Sequence, residues 1–181
     1  MRTSTNLLTD RGPALAATVA ANLIRAEAWR ATCLLTVAQF LRGDKTPALR
    51  IVRARAVAEQ VLASIEPERR LRGVTLDAQI AVGESVMAAD EDLLVTALSG
   101  VLMATLALAP EQSDFVVVFA AETRGGEVTF TIAQEQARVP SNWMGEAFGP
   151  AVERVTAICK GHLAIAVVGG SEVRATLPRL T

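Results

Sequence analysis

Tyrosine is absent from this chain, histidine occurs once and cysteine twice. A single histidine, His162, rules out paired-histidine metal sites such as H-E-x-x-H, and a Ser/His/Asp site would have to use it without a G-x-S-x-G elbow, which is also missing. Cys33 and Cys159 are far apart and outside any C-x-x-C pattern, so zinc, redox and disulfide roles lack support and both are expected as buried, reduced thiols. No excess of one charge exists either: 18 basic against 19 acidic residues leave a net charge of -1, too small a field to attract nucleic acid or an anionic membrane. EF-hand, Walker A and Rossmann glycine patterns are lacking. The opening MRTSTNLLTDRGP has no continuous apolar stretch after its basic residue, so it does not read as a secretory signal, and a cytoplasmic location is expected.

Apolar residues, in contrast, are plentiful at 51%, and the longest uncharged run, Leu93 to Ala109, follows Asp90, Glu91 and Asp92. It is short for a membrane span of about 20 residues and has no Lys/Arg cluster at either end, so it reads as a core helix. Leu94, Leu98, Val101, Leu102, Thr105 and Leu108 keep helical spacing, while Gly100, Ala104 and Ala107 form a strip of very small side chains along it.

Taken in order, residues 1–13 read as disordered, with Gly12-Pro13 as a stop before the first helix. Residues 14–46 predict a long helix of about 45 Å and its closing turn. Its stripe of Leu15, Val19, Trp29, Cys33, Val37 and Phe40 is longer than a small domain covers, which predicts pairing with a second copy; the competing arrangement is a helix folded back on its own domain. Residues 47–181 form the main domain. Leu49 to Val52 is read as a short strand, with one continuous helical hairpin as the alternative. A helix from about Ala54 to Glu66 follows, ending in the charged cluster Glu66 to Arg70, which is expected to be solvated. Strands are then expected at Val74 to Ile80, within Gly83 to Ala89, and at Phe115 to Phe119 and Val128 to Ile132 as a hairpin. An irregular loop over Ala133 to Pro150, a helix over Ala151 to Lys160 and a closing hairpin of Leu163 to Val168 with Val173 to Leu177 complete the chain. The class is an α+β two-layer sandwich, a mixed sheet covered on one face by helices and preceded by a long N-terminal helix.

At this point the chain resembles the ATP-binding domain of sensor histidine kinases and their Bergerat-type relatives, over about Leu49 to Leu180. Arg72-Gly73-Val74 is similar to the family's strand entry, Asp90-Glu91-Asp92 to the opening of its nucleotide helix, and Pro110 falls where that helix commonly ends. Pro140 and the run Ile158 to Leu163 resemble the end of its glycine box and its last helix-to-strand turn.

The residues that carry the family's chemistry are replaced. Its two helical Asn, the second a Mg²⁺ ligand, fall at Gly100 and Ala104, which offer no side-chain oxygen. Its D-x-G-x-G motif, whose Asp reads adenine, falls at Gln134-Glu135-Gln136-Ala137-Arg138, and the G-x-G of its phosphate lid falls near Ala147-Phe148-Gly149. The resemblance therefore implies a degenerate, non-catalytic module without nucleotide, metal or other cofactor. It would bind a signalling protein such as a response-regulator receiver domain, and as a homodimer. The alternatives are a histidine-phosphotransferase-like phosphorelay protein, for which no His precedes His162, and an anti-sigma-like regulator. Trp143, Met144 and Phe148, in the loop that would lid the cleft, either drop in and fill it or stay exposed as anchors for a partner.

Overall fold

The computed structural model describes residues 11–109, 114–136, 143–167 and 170–180. Four helices and seven strands are described: α1 (Arg11–Arg42), β1 (Arg50–Arg53), α2 (Ala54–Arg72), β2 (Thr75–Ala81), β3 (Val86–Ala89), α3 (Glu91–Leu106), β4 (Val116–Arg124), β5 (Glu127–Gln134), α4 (Gly145–Ile158), β6 (His162–Ala166) and β7 (Ser171–Leu180). The sheet runs β1-β3-β7-β5-β4-β2, with β6 also on β7, and among the described residues only β2 and β4 pair in parallel. This is the expected α+β sandwich.

Alternation fixes the register. Val117, Phe119 and Ala121 of β4, Val128, Phe130 and Ile132 of β5, and Val173, Ala175 and Leu177 of β7 are buried toward the helices, while their neighbours in sequence point away. The β4–β5 hairpin closes on Gly125 and Gly126, both at positive φ (60° and 87°), the two-residue turn whose twist suits the strands. Leu49 to Val52 resolves in favour of the strand: β1 pairs with β3, Ile51 opposite Ala88.

α3 lies between α2 and α4 and also meets α1 and β5. Being surrounded explains its composition: from Leu93 to Leu106 every residue but Ala104 is buried. Full burial of leucines such as Leu94, Leu98 and Leu102 contributes about 1.5–3 kcal/mol each. Asp90 caps the helix, its Oδ1 accepting from Leu93 N at 3.0 Å and its Oδ2 from Ala48 N at 2.8 Å.

Three boundaries differ from the sequence reading. Gly12 and Pro13 lie in the first turn of α1, where proline forfeits no hydrogen bond. α2 continues through Pro67 to Arg72 and ends on Gly73 at φ 66°. Within that extension Glu68, expected to be solvated, is 4% exposed; it accepts from Arg30 of α1 at 2.8 Å and from Arg72 at 2.5 Å. Beside it Glu66 is held down to about 2, chiefly by its hydrogen bond from Arg69. Finally, α4 begins at Gly145, so Phe148, Gly149 and Pro150, expected in a loop, are helical. Among the described residues no helix is long and apolar enough to cross a membrane.

Candidate functional site

Gly100, the first of the small residues along α3, faces α4. A Cβ built on Gly100 would stand 2.0 Å from Cδ1 and 2.3 Å from Cε1 of Phe148, so the phenyl ring lies directly on the bare glycine backbone. Helical glycine is unfavourable by about 1 kcal/mol relative to alanine; here it provides room for a ring. Trp143, Met144 and Phe148 are all half-buried and packed against the core. Gly149 lies in α4, where an added Cβ would only touch Met144 at an ordinary 3.6 Å. Ala104 is half-buried and Ala107, the helix cap, is exposed.

Gln134, which the resemblance would set where the family reads adenine, is 2% exposed. Its Oε1 accepts from Gln136 N at 2.9 Å and its Nε2 lies 3.4 Å from Ser171 Oγ. Gln136 continues the chain of bonds, accepting from Val116 N at 2.7 Å and donating to Asp114 O at 3.2 Å. Both amides therefore knit the end of β5 to β7 and to the start of β4. A Cβ at Gly170 would meet Gln134 O at 2.1 Å, so the backbones are in close contact there. Arg138 and Pro140 lie outside the described residues, as does Pro110. Among the described residues no three His, Cys, Asp or Glu side chains gather as a metal site.

The chain has the fold of histidine-kinase catalytic domains. The mycobacterial sensor histidine kinase MprB aligns with a TM-score of 0.60 and 15% identity, covering 73% of this chain and 98% of its own. The catalytic domain of the histidine kinase ThkA aligns at 0.62 with 10% identity, over 73% and 96%. The cytoplasmic segment of the histidine kinase QseC aligns at 0.62 with 13% identity, over 83% and 94%. No protein-family model and no curated protein sequence matches the chain.

Within this histidine-kinase fold, α1 is placed by its own domain. Cys33, Val37 and Phe40, expected in a seam between copies, are at most 1% exposed because α1 packs on α2, α3 and α4. Arg154 of α4 holds the end of that contact, its guanidinium 4.9 Å above the Phe40 ring and its Nη1 donating to Leu41 O at 2.9 Å. Trp29 is half-buried, with its Nε1 buried and unpartnered among the described residues. Val19 is 49% exposed, and the side chain of Leu15 lies outside the described residues. Burial pushes the Cys33 thiol up to about 12 and raises Cys159 as well, so both are protonated and unreactive near neutrality.

Of the two residues that fasten α1, Glu68 carried no sequence signal beyond its place in the Glu66 to Arg70 cluster, and Arg154 none beyond its place in the last helix. The Gly100–Phe148 contact had one: a glycine inside a leucine-rich helix needs a neighbour that demands the space. His162 is exposed at the start of β6, on a groove of about 580 Å³ that also includes Glu153, Leu163 and Ile165.

Proposed function

We propose that this chain is a nucleotide-independent, protein-binding module of two-component-type signalling, acting in the cytoplasm, a kinase-type domain whose cleft is closed by its own side chains. The observation that carries this reading is the Phe148 ring seated on Gly100. Nucleotide would have to displace that ring, would find no metal-binding oxygen at Gly100 or Ala104, and would meet at Gln134 an amide already bonded within the protein.

Without chemistry at the cleft, recognition of another protein is the role this fold retains, and the resemblance points to the receiver domain of a response regulator. The test is capture on the immobilised chain of receiver domains from the same genome, read with and without Mg·ATP. Binding of at least one in the micromolar range, unchanged by nucleotide, is expected; binding that requires ATP contradicts the reading. Phosphorelay through the exposed His162 is the second reading, and acid-labile label transferred to the chain and lost on His162→Ala would favour it.

A further inference from the structure

Among the described residues the sheet has free edges at β1, β2 and β6. A free edge offers unpaired N–H and C=O groups, and proteins ordinarily blunt it with charge or proline. β1 is four residues long with Arg50 and Arg53 at its ends, and β2 carries Asp77. β6 has no Lys, Arg, Asp, Glu or Pro, and all of it is exposed except the half-buried Leu163. Ile165 is 47% exposed.

The hairpin turn determines which groups β6 offers. Across its two-residue turn Arg124 and Glu127 form a hydrogen-bonded pair, so the next residue of β5, Val128, turns its backbone groups to β7. Arg179 N, donating to Gly126 O at 2.9 Å, follows the same alternation. Along β7, Val173, Ala175 and Leu177 therefore bond to β5, while Glu172, Arg174 and Thr176 bond to β6. Their partners are Ala166, Ala164 and His162, which leaves the N–H and C=O groups of Leu163 and Ile165 directed out of the sheet. Opposite the buried Ala175 and Val173, the same two residues put their side chains on the helix side.

There they meet the groove of about 580 Å³, walled by Pro150, Glu153 and Ala157 of α4. A strand laid against β6 would set every second side chain into it. Glu153 is exposed and has no ion-pair partner among the described residues, and no Lys or Arg lines the groove beside it. We propose that β6 and the groove beside α4 take an extended segment of another protein as an added strand, with apolar residues at alternate positions and a Lys or Arg among them for Glu153. Main-chain bonds supply the affinity and the groove selects the sequence. A second copy is the poorer occupant, since its β6 offers Leu163 and Ile165 to the groove but no cation.

This deepens the protein-binding reading, on which it rests for the existence of a partner, and makes no use of the closed cleft. The probe is a fluorescein-labelled peptide, Thr-Val-Thr-Lys-Thr-Val-Thr, titrated with the full chain and followed by anisotropy. Saturable binding is expected, with a dissociation constant on the order of 100 µM. Glu153→Lys should weaken it at least about tenfold, and the same variant should bind the peptide carrying Glu in place of Lys about as well as the parent pair. N-methylation of one alternate set of peptide amides should abolish binding and methylation of the other set should not, because only one set faces β6. Ile165→Pro removes an outward N–H without touching the bonds to β7, and should weaken binding at least about tenfold in a chain that stays folded. Receiver capture that fails while the peptide binds as expected counts against the receiver domain as partner and leaves this edge supported. No saturation by about 2 mM, indifference to Glu153→Lys, equal tolerance of both methylated sets, or a dimer of the chain that Ile165→Pro dissolves would overturn the proposal.

Discussion

Phe148 and Gly100 are complementary in a way that makes the sign of a mutation depend on its background. Gly100→Ala on a helix surface would raise stability by about 1 kcal/mol. Here the new methyl group falls 2.0 Å from the ring, which must swing out and lose a contact with the core worth about 1–2 kcal/mol. Gly100→Ala alone is therefore expected to lower the melting temperature, while in a Phe148→Ala background the same change should raise it. Thermal melts of the four proteins check this; a stabilising effect in both backgrounds would show that the ring does not occupy the glycine.

At the scale of elements, α1 is fastened by polar contacts at two levels, Arg30 to Glu68 and Arg154 to Leu41 O, around the buried Cys33, Val37 and Phe40. Removing the carboxylate leaves Arg30 and Arg72 without their shared acceptor. Glu68→Ala is expected to cost about 1–3 kcal/mol, below the about 3–5 of a fully buried pair, because both arginines remain partly in water. It should also speed hydrogen exchange in α1 more than in the sheet, which mass spectrometry resolves by peptide. The elements themselves were mostly legible. Alternation over Val128 to Ile132 around Gly125-Gly126, and the acidic cap before Leu93, define a hairpin and a helix from local chemistry alone. Three stretches misled because a proline reads as a boundary: α1 takes in Pro13, α2 passes Pro67 and α4 contains Pro150. The destination of the stripe on α1 was not legible, since periodicity shows that Cys33, Val37 and Phe40 seek cover but not which surface supplies it. The same limit applies to Glu68, whose burial depends on an arginine 38 residues away.

At the scale of the whole molecule the likeness is one of fold. Its sheet and helices align with histidine-kinase catalytic domains at TM-scores near 0.6. Inside that scaffold Gly100 lies under the Phe148 ring, and Gln134 and Gln136 bond the strands together. The resemblance was visible in the order of elements and in Asp90 to Asp92 and Arg72 to Val74. Trp143, Met144 and Phe148 suit a filled cleft or exposed anchors by composition; their half-burial against the core supports the filled cleft proposed above. The account turns on that cleft being closed to nucleotide, and isothermal titration of the unmodified chain with Mg·ATP tests this most directly. It predicts no saturable heat up to about 1 mM nucleotide, whereas Mg²⁺-dependent binding with a dissociation constant in the micromolar range would contradict it.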